Sequence, residues 1–193
     1  GQISYILRDS GSIAIFVSTK AQLEKVLSLR APDVLPSLRH IIAMDPDATG
    51  PGVMPMEDLI KRGRAALAKY PGWRKEAMQI KPEEIATLIY TSGTTGDPKG
   101  AMLTHGNITS NVVNAIKVLQ TREDDECLSF LPLSHILERM AGHYLMLYTG
   151  VLVNYAQSID TVAADMGERR PTVMLSVPRL YEKIYARVQE NVA

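Results

Sequence analysis

The 193-residue chain is 46% hydrophobic and 22% charged, a balance that buries a sizeable core and excludes a disordered segment. Its 21 basic residues equal its 21 acidic ones, and no clustered basic stripe stands out, so no nucleic-acid partner is expected. A single cysteine, Cys127, excludes an internal disulfide framework and suits a reducing compartment, and no apolar run approaches the roughly 20 residues that span a bilayer.

The first residues, Gly1-Gln2-Ile3-Ser4-Tyr5-Ile6, lack the basic, apolar and small-residue segments of a signal peptide. The chain starts abruptly there and stops inside a helical pattern at Val192-Ala193, so both ends read as cuts in a soluble protein. Between them, short β-branched or apolar runs alternate with amphipathic stretches, the pattern of an α/β sheet covered by helices. Residues 13–17 read as a buried strand. Thr19 with Gln22 forms a capping box before a helix whose apolar face carries Leu23, Val26 and Leu27. Residues 40–44 form the next strand, opened by His40, and 45–55 a Pro/Gly-rich loop. Met56, Leu59, Ile60, Ala66, Leu67 and Tyr70 stripe a second helix, which Pro71-Gly72 ends.

After a polar stretch containing Trp73, residues 84–90 give a strand that runs into a Gly/Thr-rich loop, 91–100. Residues 101–103 read as a short returning strand. Thr104 then caps a helix with Ile108, Val112, Ala115, Ile116 and Leu119 on one face. Strands follow at 127–133, 151–155 and 172–177, with helices at 137–148 and 161–169, and the last helix starts at Pro178. Cys127 reads as a small residue at the start of its strand, and His105 and His143 as caps or packed side chains. The run Asp45-Pro46-Asp47-Ala48-Thr49-Gly50 begins like a calcium loop, but the twelfth position is Met56 where a bidentate Glu is required. The acidic run at 123–126 reads as a solvated turn.

The chemistry concentrates in Tyr90-Thr91-Ser92-Gly93-Thr94-Thr95-Gly96-Asp97-Pro98-Lys99-Gly100. Glycines let backbone N–H groups approach an anion closely, and a run of such amides forms a concave partial positive charge suited to phosphate. Ser92, Thr94 and Thr95 add hydroxyl donors, and Lys99 adds a full cation for the outer phosphates. Pro98 restricts Asp97 and helps to aim the lysine. The P-loop of ordinary nucleotide hydrolases, G-x-x-x-x-G-K-[ST] before a helix, is not matched, because Gly100 follows Lys99 and a strand follows the loop. A dinucleotide-binding G-x-G-x-x-G is also missing.

This loop resembles the phosphate-binding motif of the adenylate-forming superfamily, which includes acyl-CoA synthetases, luciferases and peptide-synthetase adenylation domains. The segments Leu131-Pro132-Leu133-Ser134-His135-Ile136-Leu137-Glu138-Arg139 and Ser176-Val177-Pro178-Arg179-Leu180-Tyr181 are similar to those of long-chain fatty acyl-CoA synthetases. The resemblance implies an α/β chain that forms an incomplete portion of a large N-terminal AMP-binding domain. Residues 1–80 would be preceding α/β units and 81–193 the units that bear the phosphate loop, with the C-terminal domain absent. It implies a ligase that takes ATP, Mg²⁺, coenzyme A and a fatty acid, and joins the carboxylate to AMP and then to the thiol.

Within it, Lys99 and His135 are the catalytic candidates. Thr91, Ser92, Gly93, Thr94, Thr95, Gly96 and Lys99 would cradle the phosphates, and the Thr91 hydroxyl would touch the magnesium. Glu138 and Arg139 are expected to pair with neighbouring charges. The family's later Thr-Glu turn, ribose-binding Asp and C-terminal lysine do not occur in these 193 residues, so this stretch alone is expected to be inactive. A noncatalytic nucleotide-binding module and a ligase for a different carboxylate are the alternatives. The resemblance fits a cytoplasmic location, with peripheral membrane contact allowed for the parent protein.

Overall fold

The computed structural model describes residues 1–91 and 97–192. Two compact units emerge, Gly1–Lys81 with Tyr90–Met102, and Pro82–Ile89 with Leu103–Ala193. In the first, Gln2–Asp9 (α1) precedes a three-stranded parallel sheet of Ala14–Val17 (β1), His40–Ala43 (β2) and Val53–Pro55 (β3). Lys20–Leu27 (α2) covers it. Thr19 caps this helix by accepting from the Gln22 amide at 3.3 Å, while the Gln22 side chain accepts from the amide and hydroxyl of Ser18, one residue earlier than a strict capping box requires. Leu23 and Val26 then reach Val17, Ile41, Ala43 and Ala48 to form the core.

Two elements of this unit depart from expectation. Helix α1 was not legible in its sequence, and β3 lies inside the stretch read as a loop, paired with Ile41 to Ala43 of β2. Three residues are too short to show a period, so the neighbouring strand decides the conformation. The Asp45 carboxylate accepts from the Asp47 amide at 2.9 Å, which makes the would-be calcium loop an Asx turn. Met56–Ala66 (α3) continues as a 3₁₀ turn over Leu67–Lys69, and Trp73–Ala77 (α4) adds a short helix in the polar stretch.

Ile85–Thr91 (β4) and Lys99–Thr104 (β5) pair as a two-stranded sheet, and the chain passes between the units along both strands. In the second unit Thr104 caps His105–Ala115 (α5) through a reciprocal pair with Asn107, at 3.1 and 3.0 Å. Glu126–Ser129 (β6) and Leu152–Tyr155 (β7) pair in parallel. Strand β6 stops four residues before the predicted 133. The predicted strand at 172–177 reduces to one bridge, Val173 to Cys127; Ser158–Thr161 hydrogen bonds and a helix over Val162–Arg169 (α7) precede it, and Pro178–Val192 (α8) follows.

The predicted helix at 137–148 is a π-helix over Glu138–Tyr144 followed by Leu145–Thr149 (α6), and Gly150 at φ 78° ends it. Its Leu145 and Met146 pack with Val112, Cys127 and Val151 in the second core.

Candidate active site

Strand β4 delivers the chain to the loop and β5 takes it away. Thr91, the last residue of β4, and Lys99, the first of β5, are both exposed. Helix α5 begins only at His105, so no helix N-terminus follows Lys99 directly. Ser92, Gly93, Thr94, Thr95 and Gly96 lie outside the described residues.

The stems of the loop have their own packing. A Cβ added to Gly100 would come to 3.0 Å from the Tyr90 ring, so glycine favours the close approach of strand and ring there. The Tyr90 hydroxyl donates to Asp9 of α1 at 2.6 Å. That bond, with the loss of solvent around the phenol, pushes its pKa up to about 12. Asp9 is 81 residues away in sequence, and no local pattern announces it.

In the second unit, His135 occupies the turn after β6. Its backbone amide donates to the Pro132 carbonyl at 2.9 Å, and its Nδ1 accepts from the Leu137 amide at 3.2 Å. A neutral imidazole with Nδ1 accepting carries its proton on Nε2, which makes that nitrogen a donor. The exposed side chain therefore offers N–H to a carboxylate or phosphate oxygen. Just beyond it, Ile136, Leu137 and Met140 face Leu103 and Ile108 around an apolar cavity of about 240 Å³.

Glu138 and Arg139 do not form the charge pairs expected of them. Glu138 is fully buried and accepts from the Ser129 hydroxyl at 2.5 Å. Burial raises its carboxyl pKa, partly offset by that bond and by His143. Arg139 donates from Nε to the Leu133 carbonyl and from a terminal nitrogen to Thr87 Oγ1, each at 2.7 Å.

The remaining titratable candidates have hydrogen-bond or burial environments of their own. His143 Nδ1 shares a 2.8 Å hydrogen bond with the Tyr155 hydroxyl, and His105 opens α5 with its amide on the Glu84 carbonyl. Cys127 is buried at the second position of β6, where desolvation pushes its thiol up to about 11. The acidic run is less solvated than expected. Asp125 accepts from the Arg122 amide and the Thr172 hydroxyl, which hold its carboxyl below the ordinary value, and Glu126 accepts from Asn154. Among the described residues no group of three or more His, Cys, Asp or Glu could hold a metal ion, and no helix is long and apolar enough to cross a membrane.

A family model described as AMP-binding enzyme matches residues 1–193. The chain is 35% identical over 193 residues to the peroxisomal long chain acyl-CoA synthetase 7 of Arabidopsis thaliana, covering 95% of this chain and 26% of that protein. It is 32% identical over 203 residues to long-chain-fatty-acid–CoA ligase 5 of Rattus norvegicus, covering 98% of this chain and 29% of that one. Among solved structures, the anthranilate CoA ligase AuaEII in complex with anthranoyl-AMP matches with a TM-score of 0.73 at 27% identity, over 90% of this chain and 32% of the other. The N-terminal domain of FACL13 from Mycobacterium tuberculosis gives a TM-score of 0.70 at 22% identity over 93% of this chain and 41% of the other, a likeness of fold alone. The chain thus spans only 26% and 29% of the length of these two curated relatives.

Proposed function

Because the chain belongs to the family of AMP-binding enzymes, we propose that it is the ATP-binding portion of a long-chain fatty acid–CoA ligase. The observation that carries the reading is the loop of residues 90–100, strung between two strands with Lys99 at the head of the second. The names of the relatives at 35% and 32% identity support the fatty-acid branch, and the apolar cavity lined by Ile136 and Leu137 fits an aliphatic substrate.

In the first half-reaction a carboxylate oxygen bonds to the α-phosphorus of ATP and pyrophosphate leaves. In the second, the thiol of coenzyme A bonds to the acyl carbon and AMP leaves. An anionic nucleophile must approach a polyanion while charge accumulates on the departing pyrophosphate, so preorganised positive charge is the main requirement. Lys99 and the amides of 91–96 supply it at the β- and γ-phosphates. His135 orients the carboxylate through Nε2–H at the α-phosphate end.

Mg²⁺ would neutralise further phosphate charge when bound. Thr91 fits it as a single exposed hydroxyl on an ion held mainly by phosphate oxygens, a mode usual for Mg²⁺. The parent is proposed to work in the cytoplasm, with peripheral contact to membrane.

The reading is tested in the intact parent by Lys99→Ala, assayed by pyrophosphate release with palmitate and, separately, anthranilate. Losing one charge-assisted phosphate contact, worth about 1.5 to 3 kcal/mol, slows adenylation by well over ~10-fold. Unchanged release removes Lys99 from the site, and faster turnover of anthranilate than palmitate moves the substrate to the aryl acids.

A further inference from the structure

We propose that Arg139 is a positioning residue for His135, holding the turn that carries the imidazole against β4 by way of Thr87; this rests on the role proposed for His135. The guanidinium makes two bonds in different directions. Nε donates to the Leu133 carbonyl, which lies two residues before His135, and a terminal N–H donates to Thr87 Oγ1, 52 residues away on β4. Both are 2.7 Å long, and both come from a cation, which makes them stronger than bonds between neutral groups. The Arg139 amide also donates to the His135 carbonyl at 3.1 Å. One residue therefore closes the turn on its near side, starts the helix behind it and fastens the whole to a strand.

The neighbouring residue pulls the other way. Glu138 enters the core and accepts from Ser129 of β6, so two consecutive side chains fix the start of this helix to two different strands. Without the Arg139 side chain, the turn keeps its main-chain bonds, from the His135 amide to Pro132 and from the Arg139 amide to His135, the Leu137 amide's bond to the imidazole, and the anchor of Glu138 on β6, but loses its tie to β4. Those bonds preserve its shape and its hold on β6, but not its placement against β4. A planar fork is needed to reach both oxygens at once, and the ammonium of a lysine reaches one.

The experiment is a set of double substitutions in the intact parent, read as kcat and KM for ATP in pyrophosphate release. Arg139→Lys should lower kcat about 10-fold and Thr87→Val about 3-fold, with KM for ATP unchanged, the scale expected for one or two lost hydrogen bonds felt only in the reacting complex. In a His135→Ala background neither substitution should lower kcat further, because the group they aim is gone. Equal losses in both backgrounds would mean that Arg139 acts on general stability and would overturn the inference. Wild-type kcat in both single variants would overturn it too, while a loss in His135→Ala alone would leave the site reading standing. If His135→Ala itself keeps full activity, the role of His135 and the inference fall together. Thr87→Val changes shape least, and keeps the test open should the arginine variant fold poorly.

Discussion

Glu138 sets out the electrostatics of the site at the level of one side chain. Ser129 donates to its Oε1, so a proton on the neutral carboxyl resides on Oε2, which has no hydrogen-bond partner among the described residues. An unpaired buried oxygen favours the uncharged form, and the pKa is raised chiefly by desolvation. A carboxyl raised in the folded state contributes stability that is full below its ordinary value of about 4.3 and is lost as pH climbs through the folded value. Glu138→Gln keeps the acceptor and the shape but cannot ionise. Its melting temperature is expected to gain on that of the unsubstituted protein as pH rises from about 4 to 8, and a constant gap across that range would show that Glu138 does not titrate with folding. None of this was legible in the spacing of the motif. Three- and four-residue intervals from His135 announce a helix, whereas the partner that Glu138 meets in the core, Ser129, comes from strand β6. Arg139 was misread for the same reason, since its partners are neutral oxygens and one lies 52 residues away.

Elements with a period or a cap were legible and short ones were not. Thr19 and Thr104 announced α2 and α5 because a hydroxyl before an apolar run meets orphan amides in one stereotyped way. The three-residue β3 and the five-residue α4 carry too few positions to display a period. The π-helix at Glu138–Tyr144 was read as an ordinary helix, because seven residues are too few to tell one helical period from another. Within it lies Gly142, where an added Cβ would fall within 2.9 Å of both carboxylate oxygens of Glu138. Small-to-large changes of this kind cost about 1 to 3 kcal/mol, so Gly142→Ala is expected to destabilise the protein by that amount in denaturant melts. Because the obstructing atoms belong to Glu138, the loss should shrink when Glu138→Ala is added. Simple additivity of the two would place the strain elsewhere in the helix.

At the scale of the molecule, the two residues proposed for the chemistry fall in different compact units, Lys99 in one and His135 in the other. Apolar surface remains exposed on both. Phe16 of β1 is 53% exposed and Tyr155 of β7 54%, although strands in parallel sheets are usually covered on both faces. The two curated relatives described above are more than three times as long, and the family resemblance assigns ribose binding, a magnesium-binding Glu and a catalytic lysine to segments that these 193 residues do not contain. Phosphate contacts alone leave the adenosine free to turn. Orientation of reacting groups is worth about 7 to 11 kcal/mol in well-aligned cases, so losing the groups that hold ribose and magnesium removes most of the acceleration even if Lys99 still meets the phosphates. The isolated 193-residue chain, given ATP, Mg²⁺ and palmitate, is therefore expected to yield no palmitoyl-AMP by mass spectrometry. Its appearance at a rate above that of a Lys99→Ala control would show that the two units suffice for adenylation.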